Sequence, residues 1–551
     1  MPTFCRAGVD FGTTFSTISA FVDEVATPLF LEGSPFIPTV ITFFDNKVVI
    51  GELAKTISEV VKDNVTYFDL KRWVGVNEKN FIKLKEKLQP SYECKLEKGE
   101  CYMGGIGVRT VFRSVGFLIA TYLDVLTKLF EEKYDVKITN LNVSVPADFY
   151  TFQRSYMRNA VNNLGIKVDR MINEPSAAAL HSILSNPEFT DFVIFDFGGG
   201  TFDVSYIKKK GKIIMICDTQ GDLFLGGRDI DKSIQHYFFG KYSIEIHPFS
   251  LSYMKEGVST GKSQSFNVLS SNKEINHVNF SKDELNSIVS PFAKRSCEIL
   301  KAVIDRNEIT NAVICMVGGS SLLTEVYNQV NNVAKGTNNK IFRDENLRLS
   351  VSFGCSCLHF FTDDPDFTYI DVNSHCVFEI DEMFKPSVLI RKPMPIPYTL
   401  RQEKQNNNKF LTAVDIYEGD SQWFLDCQVL IKDVYSTDAV SSLGSGYYRV
   451  IQYDLDGNIN VWIENKDSTN KRNLKSLITS HKTIKLENFE RVQTGSSSLY
   501  CTVAELIKYH KLDKNIEAID SNLFFKIKDY IEINGGISKY IETLRKNGVQ
   551  I

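Results

Sequence analysis

The sequence predicts an α/β fold made of two similar lobes, followed by a β-rich region and a short helical tail. Three observations carry this expectation. A segment near the start, Asp10-Phe11-Gly12-Thr13-Thr14-Phe15-Ser16, returns as Asp196-Phe197-Gly198-Gly199-Gly200-Thr201-Phe202-Asp203. Strand-like apolar runs alternate with helical periodicity as far as Phe361. Beyond that point the helical period largely disappears for roughly a hundred residues.

Each copy of the repeated segment follows a short apolar run, Ala7 to Val9 or Phe192 to Phe195, and precedes another. Each therefore reads as a strand, a tight glycine turn and a returning strand. Between the copies, Leu118, Tyr122, Leu126 and Leu129 recur at helical spacing within Val115 to Phe130, and Asp124 and Lys128 interrupt the stretch. It reads as a packed amphipathic helix, too charged to span a membrane. Helical patterns also cover Ser155 to Leu164 and Ser176 to Leu184, the second opened by Pro175 in its first turn. The apolar run Ala312 to Val317, the turn Gly318-Gly319-Ser320-Ser321 and the pattern Leu322 to Val333 give a further strand, glycine turn and helix. The acidic, proline-broken Thr362-Asp363-Asp364-Pro365-Asp366 marks a domain boundary. Later, Asp456-Gly457 supplies a two-residue hairpin signal before the alternation Ile459, Val461, Ile463. From about Ser498 helical spacing returns, with a break at Gly535-Gly536.

At 551 residues, the chain is too long for one core and should fold into roughly three to four units. Its 43% hydrophobic and 24% charged residues are the balance of a soluble globular protein, folded throughout. Sixty-three basic and sixty-seven acidic side chains leave a formal net charge of -4. That gives no bulk attraction to nucleic acid or anionic membrane. The eleven cysteines lack CxxC spacing and read as reduced thiols in a cytosolic setting. No signal sequence is legible in Met1 to Asp10.

Glycine turns lined with threonine let backbone N–H groups and hydroxyls approach phosphate oxygens, which a side chain at the glycine positions would block. Two facing turns, Gly12-Thr13-Thr14 and Gly198-Gly199-Gly200-Thr201, can clamp one polyphosphate; a single such turn is also compatible with a plain hairpin. Asp10, Asp196 and Asp203 would converge beside that polyanion, where carboxylates repel unless a cation intervenes. Mg²⁺ suits the place because it keeps its waters and needs few protein carboxylates. Lys71, beside Arg72, is a candidate cation for a transferred phosphoryl group or one of a solvated pair. Glu174 precedes a helix, where a carboxylate also favours the positive end of the helix dipole.

Five ordered motifs carry a resemblance to the heat-shock protein 70 family: Gly8 to Thr14, Val145-Pro146-Ala147, Asn173 to Ala179, Asp196 to Ser205, and Val317-Gly318-Gly319-Ser320. Within it, Asp69-Leu70-Lys71-Arg72-Trp73 and Leu225-Gly226-Gly227-Arg228-Asp229-Ile230-Asp231 look like the closterovirus homologues, a plant-virus branch with shortened C-terminal regions. The resemblance implies an actin-like ATPase domain over residues 1–362, a linker over 363–372, a β-sandwich-like substrate- or partner-binding domain over 373–485 and a helical tail over 486–551. It implies ATP or ADP with Mg²⁺ as ligands. Lys71, Glu174, Asp196 and Thr201 would position water and the γ-phosphate, with Gly12, Thr13, Thr14 and Gly198 to Thr201 lining the phosphates. Asp10, Asp196 and Asp203 would hold the metal, largely through water. Gly318, Gly319 and Ser320 match the adenosine-side loop, and Glu256 and Ser263 its partner helix. There Ser259 replaces a lysine, and Arg348 stands where the family carries an aspartate. Pro146 and Arg154 match an interlobe switch. The linker, Phe367-Thr368-Tyr369-Ile370-Asp371, is less apolar than the family's, so altered interdomain coupling is expected.

By the same resemblance, the partners are viral coat and movement proteins, with J-domain co-chaperones or unfolded peptide as further candidates, acting in the cytoplasm, at plasmodesmata and in the virion. Partners that read the cellular family's acidic terminal motif are not expected, since the sequence closes on Asn547 to Ile551. Three readings follow: a chaperone-like ATPase in virion assembly and cell-to-cell movement, a structural component that binds nucleotide with negligible turnover, and a small-molecule kinase. The last lacks a motif for a base beside a substrate hydroxyl.

Overall fold

The computed structural model describes residues 3–60, 63–107, 109–270, 275–343, 348–380, 386–405, 415–420, 427–431, 446–467, 471–473, 484, 486–487 and 489–491. The repeated sequence is a repeated sheet. In the first lobe β1 (Thr3–Phe11) and β2 (Phe15–Val22) form an antiparallel hairpin with Phe11 opposite Ser16. β3 (Val25–Pro28) extends it on one side, while β4 (Val136–Val145) and β5 (Lys167–Asn173) add in parallel on the other. The second lobe repeats the plan: β6 (Asp191–Phe197) and β7 (Phe202–Lys210) pair with Asp196 opposite Asp203, β8 (Ile213–Asp222) follows β7, and β9 (Val313–Val317) and β10 (Lys340–Phe342) add in parallel beside β6. The strand orders β5-β4-β1-β2-β3 and β10-β9-β6-β7-β8 are thus the same.

Parallel neighbours need a crossover, and helices supply it. Thr151–Asn162 joins β4 to β5, and Thr324–Ala334 joins β9 to β10. β6 and β9, covered on both faces, are apolar and buried almost along their length, the pattern of strands between two helical layers. The helix predicted within Val115 to Phe130 spans Val115–Tyr134, capped by Ser114, whose hydroxyl accepts from Phe117 N at 3.2 Å. Helices Glu174–Ser185 and Ser350–Thr362 pack on each other where the lobes meet.

After Thr362 the described chain is strand and turn. β11 (Thr368–Val372) lies parallel to β8, Thr368 to Ile370 facing Ile213 to Met215, so the residues expected as a linker extend the second lobe's sheet. Two four-stranded antiparallel sheets follow, one of Pro386–Ile390, Cys376–Ile380, Asp415–Gly419 and Gln428–Ile431, the other of Tyr398–Gln405, Gly446–Tyr453, Ile459–Asn465 and Lys471–Asn473. Val377, Ile416, Ile451 and Val461 share their core. The hairpin at Asp456-Gly457 is longer than the two-residue turn expected. Its strands end at Tyr453 and resume at Ile459, because the Asp454 carboxylate gathers the N–H groups of Asp456 and Asn458, each at 2.9 Å, and stabilises a wider loop.

Near the end of the described chain, Glu490–Arg491 pairs in parallel with Lys47 and Val48 on the first lobe, and Phe489 packs edge-on against Phe43 at 4.9 Å. This stretch of the expected helical tail is extended; the helical spacing from Ser498 lies outside the described residues. Every described cysteine is free. Among the described residues no helix is long and apolar enough to cross a membrane.

Candidate functional site

The β1–β2 and β6–β7 turns meet across the cleft between the lobes. A Cβ on Gly199 would overlap Thr14, and one on Gly200 would overlap Thr13, so only glycine lets these backbones come so close. The second turn is pinned from three sides. Ser320 Oγ donates to Gly198 O at 2.8 Å, Gly227 N to the same carbonyl at 3.1 Å, and Arg228 N to Gly199 O at 2.7 Å. Gly318 sits at φ +82°, and a Cβ there would lie 2.6 Å from Asp196 Oδ1. Gly12, Thr13, Thr14, Gly198 to Thr201 and Gly318 to Ser320 are therefore one neighbourhood.

At its base, Lys71 and Glu174 form a buried ion pair. Burial alone would lower the Lys71 pKa, but Glu174, then Asp10 and Asp196, outweigh it and hold the ammonium above its ordinary value. Asp10 accepts from Ser144 Oγ at 3.1 Å; burial, then Glu174, pushes its carboxyl up to about 7. Burial also raises Asp196 and Asp203 well above the usual carboxylate range, with Glu174 and Asp148, respectively, as the next causes. The solvated reading of Lys71 gives way because the residue is buried, whereas Glu174 stands in the first turn of its helix, as expected, and also pairs with the lysine.

Among the described residues, no three His, Cys, Asp or Glu side chains are close enough to ligate one ion directly. The chemistry of the site nevertheless fits a divalent cation held through water. Asp203 Oδ1 is buried without a hydrogen-bond partner, and Asp10, Glu174, Asp196 and Asp203 surround the single cation Lys71.

Sequence reasoning missed the ties that bridge the lobes here. Arg72 donates to Asp229 at 3.0 and 2.6 Å, and Arg228 to Asp69 at 2.7 and 2.9 Å, two forked pairs across the cleft. The reciprocal Asp and Arg in Asp69-Leu70-Lys71-Arg72 and Arg228-Asp229 were the available signal.

The residues expected on an adenosine side are only partly brought together. Glu256 lines a cleft together with Thr13, Thr14 and Tyr253. Ser263 does not join it: its hydroxyl donates to Ser265 O at 2.7 Å and accepts from Ser265 N at 3.2 Å, closing a local turn. Lys255 pairs with Asp231 at 2.7 Å and donates to Gly227 O at 2.9 Å. The Arg348 guanidinium lies 3.7 Å from the Phe36 ring centre, beside Gly319.

Pro146 and Arg154 lie together beneath the site. Arg154 donates to Asn173 Oδ1 at 2.6 Å and Ala147 O at 3.0 Å, and also to Asp456 O in the β region at 3.2 Å. The Asp456 carboxylate accepts from Arg158, from Arg170 Nε at 3.2 Å and from Met171 N at 3.0 Å. Arg154 thus contacts the appended sheets as well as the lobe.

The Hsp70 protein family matches residues 6–520. The chain belongs to the Hsp70 family. It is similar to the "Movement protein Hsp70h" of Lettuce infectious yellows virus, 38% identical over 93% of each chain. The "Movement protein Hsp70h" of Grapevine leafroll-associated virus 3 is 34% identical, covering 74% of this chain and 78% of its own. The "Chaperone protein HscA" of Buchnera aphidicola is 25% identical over 85% of this chain and 78% of its own. The expected resemblance to the closterovirus branch is therefore borne out. Hsp70 proteins join an actin-like ATPase fold to a substrate-binding domain and bind ATP or ADP with Mg²⁺. The mixed α/β architecture described above is consistent with that plan.

Proposed function

We propose that this Hsp70 is a chaperone-like protein that binds and hydrolyses Mg·ATP and acts in virion assembly and cell-to-cell movement of a plant virus. The observation that carries the reading is the Lys71–Glu174 pair buried beside Asp10, Asp196 and two interlocked glycine turns. Phosphoryl transfer to water asks mainly for positioning and charge stabilisation. In this reading Thr13, Thr14 and the Gly198 to Thr201 turn hold the phosphates. Lys71, kept charged by Glu174, faces the γ-phosphate oxygens. Glu174, Asp196 and Thr201 orient the attacking water. As water bonds to the γ-phosphorus, the bond to the β–γ bridging oxygen breaks, ADP leaves with the electron pair, and a proton is released. Asp10, Asp196 and Asp203 would hold Mg²⁺ through its water shell, and the ion would supply neutralisation of phosphate charge. Residues 1–362 would form the ATPase domain and 363–372 the connection. The β region over 373–485 would serve as substrate- or partner-binding domain, with 486–551 as tail.

The "movement protein" names of the viral relatives support a part in viral movement; in this reading the partners are viral coat and movement proteins, and the protein acts in the cytoplasm, at plasmodesmata and in the virion. A second reading, a structural component that binds nucleotide with negligible turnover, draws on the adenosine side, where Ser263 closes its own turn and Lys255 is spent on Asp231. Titrating purified protein with Mg·ATP while following phosphate production separates the two. Saturable binding with phosphate production supports hydrolysis; saturable binding without it moves the assignment to the structural reading.

A further inference from the structure

Thr13 separates two cavities. On one side is the cleft lined by Thr14, Tyr253 and Glu256; on the other is a cavity whose inner end is formed by Thr13, Lys71 and Thr201. The far end of the second cavity is basic and open to solvent, lined by Arg72, Lys83 and Lys87. Lys83 and Lys87 lie four residues apart on the helix Phe81–Leu88, which places them on one face. Arg72 is already committed to Asp229. Among the described residues Lys83 and Lys87 form no ion pair, and Lys87 Nζ rests 3.5 Å from the Phe224 ring centre. Partial desolvation of the exposed Lys87 holds its pKa below its ordinary value, so an arriving anion would favour its charged form.

We propose that this second cavity is a binding site for inorganic phosphate, and that the phosphate cleaved at Lys71 leaves through it past Lys83 and Lys87. The role as an exit rests on the hydrolytic reading above; the anion site rests on the cavity alone. Product phosphate and ADP repel each other in a pocket already rich in carboxylates. A route through the nucleotide cleft is blocked by ADP itself, whereas the second cavity begins at the same lysine and ends at two lysines that, among the described residues, form no ion pair.

The test is equilibrium dialysis of radiolabelled inorganic phosphate against the full chain in saturating Mg·ADP. It compares wild type, Lys83→Glu/Lys87→Glu and a control charge reversal at an exposed lysine outside the cavity lining, Lys335→Glu. Both helix lysines are exposed, so the double variant should keep its fold, checked by circular dichroism. The proposal expects the phosphate Kd to rise at least about tenfold in the double variant and to stay unchanged in Lys335→Glu. A phosphate sensor should also show release falling behind bond cleavage in a single turnover. Equal phosphate binding by wild type and the double variant, an equal loss in Lys335→Glu, or no binding by wild type overturns it. Phosphate binding that is lost in the double variant, in a protein that cleaves no ATP, supports the anion site and refutes only the hydrolytic reading.

Discussion

Lys71 is the one cation among Asp10, Glu174 and Asp196, and its removal would leave buried carboxylates facing each other without compensation. Breaking such a pair from one side is more costly than removing both charges. Lys71→Met should therefore destabilise the nucleotide-free protein by about 2–4 kcal/mol, somewhat less than an uncompensated charge because a neighbouring carboxyl can take up a proton. Lys71→Met/Glu174→Gln should recover a large part of that loss. Chemical denaturation of the two single variants and the double variant checks this as a cycle; additive losses would mean that the residues do not act as a pair.

At the scale of elements, the glycine turns are where sequence and structure agree most closely. Asp10 to Ser16 and Asp196 to Asp203 were legible as paired hairpin turns because glycine and threonine at those positions leave few alternatives. Their contact through Thr13, Thr14, Gly199 and Gly200 follows once the strands on each side repeat in the same order. The Asp69–Arg228 and Arg72–Asp229 ties were not legible, since charged residues about 160 positions apart carry no local period. Nor was the Asp454 loop, where a side chain's choice of backbone N–H groups overrode the Asp-Gly signal. The pinned second turn makes its own prediction. Gly318→Ala combines positive-φ strain with a clash against Asp196 and should destabilise by about 1–3 kcal/mol, with weakened nucleotide affinity. Gly211→Ala, at φ +60° with nothing within 4 Å of its Cβ, should cost strain alone and leave nucleotide affinity intact. Equal effects of the two on affinity would contradict the close approach of Gly318 to Asp196.

At the scale of the molecule, the β region is fastened to the first lobe through Asp456, which draws in Arg158, Arg170 and Met171 N, and through Glu418, which accepts from Thr151 N at 2.9 Å. Asp456→Ala should loosen this attachment, seen as faster proteolysis between the two parts and a larger radius of gyration by small-angle scattering; an unchanged radius would contradict it. His375 adds a pH term. It stacks on Tyr150 at 4.2 Å, and its two ring nitrogens face Asp148 O at 3.0 Å and Asp420 Oδ2 at 3.4 Å. Two acceptors favour the doubly protonated ring. Burial works against that charge, but Asp420, Asp148 and Glu418 outweigh it and raise the pKa above 6.5. Lys392, which pairs with Asp420, faces the same cluster. A raised histidine stabilises fully below pH 6.5 and loses that contribution as pH rises through its folded value. Thermal stability should therefore fall as pH rises above 6.5, and the slope should flatten in His375→Gln. The buried carboxyls of Asp148 and Glu418, raised chiefly by burial, give a slope of the same sign at lower pH.

The central claim is that the residues gathered around Lys71 hydrolyse ATP. Its most direct test is single-turnover hydrolysis of Mg·ATP by wild type, Lys71→Ala and Asp196→Asn, with nucleotide binding followed in parallel. The account predicts that hydrolysis falls by at least about a hundredfold in both variants while binding persists. Wild-type binding without hydrolysis, or variants that hydrolyse like wild type, would contradict it.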